Sequence, residues 1–527
     1  MKKAFCFCMV LLLACTVLLP ATQVSAAAAT RTPVINVEGE KSIGVWSEDG
    51  TCYYPTKEMA DELVNEAIRA LTPLFVKAYI TDNYDEWSRR ALEKLTPIYD
   101  EIRPAPDGSL PENTGPDLSD VYTPDPDALP APESVDWYYG YGWDFRISPL
   151  DAADDLHAFI QAVKEKTGAE KVVLSSRCGS TSLGAAYLYK YGTKDLEKVI
   201  FSASTLLGTP YADAAISGNI SIPGDALYYF MREYDLLGGT NDLIARFVYA
   251  MVNALNMNGS ADDTAKLLLR IYDKIKDCFA SPFLRSYYGI CGNYITSVDE
   301  HYEDYRDYIF PTDELKQEYA AILTKADEYH YNVQEKLNDL IADTRAAGVP
   351  VYIIAFYGEP NGYPINERSR LVGDDLCDAQ LQSLGARVAV FPGTLSDDYI
   401  AAQEQAGLGG YISPDRQIDA SACMLPETTW FIKNIRHEFF YSDFHDFIRR
   451  IAWTDNFTVA SDPNYPQFLT VVGDHESLAP TQAVNERDID LSAYEADMSG
   501  TTGLLARITA FFAKIIAFFA RLFRLIK

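Results

Sequence analysis

The chain has 527 residues, enough for one large α/β domain with insertions or for several smaller ones. Its 48% hydrophobic and 13% aromatic content is that of a globular protein and excludes a disordered one. With 45 Lys and Arg against 75 Asp and Glu, the net charge of −30 argues against nucleic acid as a partner, because an acidic surface repels phosphates, and suits a protein kept soluble outside the cell.

Met1-Lys2-Lys3, an apolar run from Ala4 to Leu19 and the small-residue exit Val24-Ser25-Ala26 have the three parts of a secretion signal over residues 1–26. Export to the extracellular space or the cell surface is therefore expected. Leu13-Ala14 before Cys15 is also compatible with a lipoprotein signal. Cys6, Cys8 and Cys15 lie in this segment, which leaves Cys52, Cys178, Cys278, Cys291, Cys377 and Cys423. Their spacing is irregular, with no Cys-x-x-Cys pair, and His157, His301, His330 and His475 have no metal-ligand spacing, so no metal and no cofactor is expected.

Pro33-Val-Ile-Asn-Val37 reads as a buried strand opening into the turn Glu38-Gly39-Glu40-Lys41. Leu63, Ala67, Leu71 and Leu74 recur at three- and four-residue spacings, which predicts helix over residues 56–103. Residues 104–132, rich in Pro, Asp, Gly and Ser, read as a surface loop or linker. An aromatic strand follows over 138–146. After it comes a helix over 149–167 with Leu156, Phe159, Ile160 and Val163 on one face. The β-branched run Val172 to Leu174 stops abruptly in small residues, a helix-compatible run begins at Leu183, and a further strand covers 198–202. Strands and helices alternating in this order predict an α/β protein with a mostly parallel sheet and helices on both faces.

Residues 223–347 are helical in pattern, without a clear strand, and read as a cap inserted over the active face. The sheet resumes at 349–356, 386–391 and 429–432. The core thus divides into 32–222 and 348–455, followed by a polar segment, 456–500, that reads as a tail or an extended edge. Residues 503–527 contain no acidic residue, and Arg507, Lys514 and Arg521 recur every seventh position. They make one cationic stripe on an apolar helix suited to lying on an anionic membrane surface. Lys514 near its middle argues against a full span.

The stretch Lys171-Val-Val-Leu-Ser-Ser-Arg-Cys-Gly-Ser180 predicts a strand, a very tight turn and a helix, the frame in which hydrolases on a parallel sheet hold a nucleophile. Cys178 occupies the nucleophile position, with Ser176 and Ser180 where glycines are usual. Acyl transfer on such a sheet needs nucleophile, acid and base in that chain order, each after a strand. Asp374 is the candidate acid, with Asp375 as the alternate, and His437 is the candidate base, with His445 second. Backbone N–H groups of Gly179 and Glu40 are the candidate oxyanion donors. Each side chain has a plainer reading: Asp374 as a helix N-cap, His437 as a surface or interfacial residue, and Cys178 as a small buried hydrophobe or half of a disulfide, with Ser176 or Ser180 as the nucleophile if the frame slips.

Lys171 to Thr181 resembles the strand and elbow of lecithin:cholesterol acyltransferase-like lipases, with Cys178 at the position of the catalytic serine. Pro33 to Gly39 resembles the first strand and oxyanion loop of that family, Trp143-Asp-Phe-Arg146 its Tyr-Asp-Trp-Arg segment, Gly373-Asp-Asp375 its acid, and, more loosely, Phe201 to Pro210 another of its stretches. The resemblance covers residues 33–453 and implies an α/β-hydrolase fold with a helical cap, acting on lipid acyl esters. Ser176, Ser180 and the acidic Glu38-Gly39-Glu40 loop depart from the family and are expected to crowd the oxyanion region. Two readings follow: an exported acyl hydrolase or acyltransferase using Cys178, His437 and Asp374 on a lipid or other acyl ester, and an inactive homologue that binds lipid or another ligand at the membrane surface.

Overall fold

The computed structural model describes residues 31–37, 45–47, 52–54, 70–71, 73–97, 102–112, 114–116, 124–227, 261–288, 298–360, 364–437, 442–473 and 477–482. The expected secretion signal, the loop with Glu40 and the helix expected over 503–527 lie outside these residues.

Eight strands form the main sheet: β1 (Val34–Val37), β2 (Tyr138–Tyr141), β3 (Val172–Arg177), β4 (Leu196–Ser202), β5 (Val351–Tyr357), β6 (Thr429–Lys433), β7 (Phe468–Val472) and β8 (Ser477–Pro480). Their order is β8-β7-β6-β5-β4-β3-β1-β2, and every neighbouring pair is parallel except β7 with β8. Alternate side chains of the central strands enter different cores. Val172 and Leu174 of β3 face one side and Val173 the other; in β5, Val351 and Ile353 oppose Tyr352, Ile354 and Phe356. Both faces are covered, which is why these strands are apolar nearly throughout instead of alternating with polar residues.

On the first face lie α1 (Pro149–Thr167) and α2 (Thr181–Tyr191), through Leu156, Phe159, Ile160, Val163, Leu183 and Tyr187. The ends of α1 are written locally. Ser148 accepts a hydrogen bond from the Leu150 amide, Pro149 occupies the first helical position, and Gly168 leaves the helix at φ +70°. A short helix, α3 (Pro210–Ser217), follows β4. The opposite face is covered by α4 (Ser442–Trp453), whose Phe444, Phe447, Ile448 and Ile451 lie one and two turns apart. Between β4 and β5 the described residues are helical and contain no strand, and several, including Tyr302, Ile322, Ala326 and Ile341, enter the same core as α1 and α2.

One strand placement changes and one open reading resolves. Residues 386–391 do not join the main sheet: Arg387–Val388 pairs antiparallel with Ile418–Asp419, while Ala386, Ala389 and Phe391 fill a satellite core. The place beside β5 is taken by β6, so no edge remains for this segment. Within 456–500, Phe468–Val472 and Ser477–Pro480 extend the sheet, the edge alternative of that reading.

From β1 the chain passes to β2 on one side and then to β3 on the other, so the strand order reverses between β1 and β3. In open α/β sheets ligands bind outside the carboxyl ends of the strands at this reversal. The turn after β3 is the one that carries Cys178.

Candidate active site

β3 ends at Arg177, a short 3-10 turn spans Cys178–Ser180, and α2 starts at Thr181. Cys178 sits at φ +52° in the left-handed region, which costs a residue with a Cβ about 1–3 kcal/mol and persists only where neighbours hold it. Here the Cys178 carbonyl is held by two hydroxyls: Thr181 Oγ1 donates at 2.7 Å and Thr205 Oγ1 at 3.1 Å. The Thr205 amide in turn donates to Thr181 Oγ1 at 3.2 Å, so the loop after β4 clamps the turn after β3. Gly179 lies in the leading turn, where amide groups have no acceptor within the helix. Cys178 is half-buried and carries a free thiol. The disulfide reading for it therefore does not hold.

The two serines at the glycine positions are both accommodated away from the thiol. Ser180 is fully buried and its hydroxyl accepts from Trp143 Nε1 at 2.8 Å. Ser176 packs under α2, where a β-carbon on Gly184 would meet its Oγ at 2.6 Å, so Gly184 makes room for it. Crowding of the turn by these hydroxyls is thus avoided, and Ser176, only 1% exposed, is not placed to act as a nucleophile. In the Trp143 to Arg146 segment, Arg146 is buried on Asp144 and on the Thr114 hydroxyl and carbonyl, tying the small Thr114–Pro116 strand to the loop after β2.

Asp374 follows β5 through a two-residue antiparallel ladder, Glu359–Pro360 with Val372–Gly373. His437 follows β6. These residues, 63 apart in sequence, meet in the structure: His437 Nδ1 lies 2.7 Å from Asp374 Oδ2, and both side chains are buried. An ionised carboxylate only accepts, so Nδ1–H donates. The other carboxylate oxygen, Oδ1, accepts from the amides of Leu376 at 3.1 Å and Cys377 at 2.8 Å. The capping habit of an Asp and its orienting of a histidine thus coexist in one side chain. The N-cap of the helix that follows, Ala379–Gln382, is Asp378.

Burial pushes the His437 pKa down, but the negative charge of Asp374, that of Cys178 when ionised, and side-chain hydrogen bonding outweigh it, and the ring holds its proton well above the ordinary imidazole range. Nε2 has no hydrogen bond of ordinary length and angle, and Cys178 lies near enough to the ring to raise its pKa. Of the alternates, Asp375 sits at φ +82° on the turn beyond Asp374, and it is Asp374 that bonds the ring. His445 lies on α4 with its ring edge-on to Tyr138 at 5.9 Å, not at this cluster. Glu40 lies outside the described residues.

Thr181, Thr205 and Trp143 support the turn without having been legible as site residues. A hydroxyl three residues past Cys178 and a Thr after the next strand are too common to stand out in a sequence. Cys377 is the other addition: one ligand atom each of Asp374, Cys377 and His437 lie within 4.8 Å of one another, all buried. No family model matches the chain, and no curated protein sequence matches it. The fold is an α/β architecture built on a mostly parallel sheet.

Proposed function

We propose that the chain is an acyl-ester hydrolase or acyltransferase, similar to the lecithin:cholesterol acyltransferase-like lipases, that works through Cys178, His437 and Asp374. The observation that carries this reading is the bond from His437 to Asp374 on a ring whose pKa is also raised by Cys178, a free thiol on a strained strand-to-helix turn.

In this mechanism Cys178 Sγ attacks the ester carbonyl carbon, the carbonyl π electrons move to oxygen, and the thiol proton passes to His437 Nε2. Asp374 keeps the other ring proton on Nδ1, so that Nε2 is the nitrogen that takes the thiol proton, and its charge strengthens the ring as a base. The amide of Gly179 is the candidate donor to the developing oxyanion, and one such donor is worth about 10²–10³ in rate. The alcohol leaves with the proton from Nε2, and water or an acceptor alcohol then cleaves the thioester and restores the thiol.

The purified chain is tested on a chromogenic acyl ester beside Cys178→Ala and a thiol-directed acyl probe. The proposal expects labelling at Cys178 and a rate loss of about a thousandfold or more in the variant. Unchanged turnover in Cys178→Ala, or a wild type inert to the probe, sinks it in favour of a ligand-binding homologue. The same proposal puts the chain outside the cell, with residues 503–527 lying in a membrane interface. No helix among the described residues is long and apolar enough to cross a membrane. Truncation after Ser499 is expected to release the protein from anionic vesicles, and unchanged binding rejects the anchoring.

A further inference from the structure

We propose that Asp374, Cys377 and His437 form a binding site for a soft divalent cation, with Zn²⁺ as the reference ion, taken up in place of the proton that His437 shares with Asp374. A carboxylate oxygen, a thiol sulfur and a ring nitrogen lie within 4.8 Å of one another here, with all three residues buried. Zinc takes its ligands from this set, and bonds of about 2.0–2.3 Å in a tetrahedron put neighbouring ligand atoms roughly 3.5 Å apart. The cluster therefore needs a closing movement on the order of 1 Å to hold the ion.

The surroundings favour that ion over an uncompensated charge. Asp374 Oδ1 stays held by the amides of Leu376 and Cys377 while Oδ2 turns to the metal, which is the kind of outer support that fixes a ligand's orientation. Cys377 supplies both an amide to the carboxylate and a thiol to the ion from one turn. A carboxylate and a thiolate together balance a dication, so the occupied site is neutral in a buried place, where an unpaired charge is costly.

The protons balance as follows. Cys377 releases its thiol proton to solvent on becoming a thiolate. A neutral His437 ring has one proton, held on Nδ1 by Asp374; when the cation takes Nδ1, that proton moves to Nε2. A ring that begins as imidazolium releases one proton more. In either case Nε2 ends protonated and cannot accept the proton of Cys178. Cation binding therefore blocks acyl turnover reversibly, a clause that rests on the acyl-transfer reading, whereas the site itself does not.

The test uses the full chain, stripped with a chelator. Zn²⁺ is titrated against a chromogenic competitor, and Co²⁺ absorbance reports thiolate ligation by a sulfur-to-cobalt charge-transfer band. The expected result is one equivalent bound, with affinity falling in both Cys377→Ser and Cys377→Ala by more than the roughly 10- to 100-fold that loss of an outer partner costs. The band is expected to vanish in Cys377→Ala and to persist in Cys178→Ala. Circular dichroism shows that each variant is folded, and Cys377→Ser, which keeps the side-chain volume, serves if Cys377→Ala does not fold. No stoichiometric binding, binding indifferent to both Cys377 changes, or a band lost with Cys178 overturns the site. If the wild type has no acyl turnover, the function proposal fails while the titration still decides the site. Stoichiometric binding with turnover unchanged overturns the placement of the ion on Nδ1.

Discussion

His437 is joined to Asp374 twice: its ring Nδ1 lies 2.7 Å from the carboxylate, and its backbone amide donates to the Asp374 carbonyl at 2.8 Å. The loop after β5 and the loop after β6 are therefore stitched together by the same two residues that would serve as acid and base. The backbone bond survives any side-chain change, so position and chemistry can be separated. Asp374→Asn keeps the amide bonds to one side-chain oxygen and the backbone bond, but its NH₂ opposes Nδ1–H and favours the wrong tautomer. Acyl turnover is expected to fall by about 10³–10⁴-fold with little change in thermal stability. A loss of stability equal to that of a cavity mutant, or undiminished turnover, would count against an orienting role.

Ser176 and Gly184 are matched in size across β3 and α2. A β-carbon at 184 would stand 2.6 Å from Ser176 Oγ and 2.9 Å from the Phe201 ring. Gly184→Ala is expected to cost about 1–3 kcal/mol, the usual range for overpacking. Ser176→Gly should recover part of it, because the hydroxyl goes but Phe201 remains. Urea unfolding of the two single variants and the double variant measures the coupling. Strictly additive costs would refute the contact.

How much of this was legible follows from the range of the forces involved. The α1 boundaries were readable because Ser148, Pro149 and Gly168 act within a turn of the residues they cap. The turn at Cys178 was readable because β-branched residues give way to small ones over a few positions. The short pairing of Arg387–Val388 was misplaced into the main sheet, since a brief apolar run does not say which neighbour it finds, and β6 had already filled the place beside β5. The hydroxyl clamp from Thr205 and the approach of Cys377 to His437 were not readable at all. They depend on strands far apart in sequence being brought into register by the whole sheet.

The helical insertion is tied to α3 by a second histidine–aspartate contact, in which His301 Nδ1 lies 2.8 Å from Asp213 Oδ2 while the Val298 amide donates to Oδ1. Burial lowers the His301 pKa, but the hydrogen bond and charge of Asp213 raise it above the ordinary value. Burial raises the Asp213 pKa, and His301 only partly offsets this. The signs agree. A raised histidine pKa gives stability that is fully present below about 6.5 and is lost as pH rises through the folded value, and the raised Asp213 pKa also favours the more protonated, lower-pH side. The stability gap between wild type and His301→Gln is expected to be larger at about pH 5.5 than at about pH 8.5. Thermal unfolding at the two values checks it, and a gap that stays constant or widens with pH would rule the contact out as a pH-dependent tie.

Lys198, near the start of β4, is buried, and its Nζ donates to the carbonyls of Ile451 and Ala452 at 2.9 Å and of Thr454 at 2.7 Å. These are the last carbonyls of α4 and its exit, groups that no helical amide satisfies. A cation there also complements the negative end of the helix dipole. Burial lowers the Lys198 pKa, yet three acceptors hold the ammonium in place. Lys198→Met keeps the apolar stem and strands the carbonyls, so a loss of about 2–4 kcal/mol is expected, since each buried group left without a partner costs about 1–3 kcal/mol and water will reach some of them. Because α4 follows the segment that carries His437, fraying of its end should spread less than its whole length toward the site. Hydrogen exchange is expected to quicken over the last turn of α4 and to leave the amide of His437, held by Asp374, protected. Equal loss of protection at both ends would instead make α4 a single unit with the loop that bears His437.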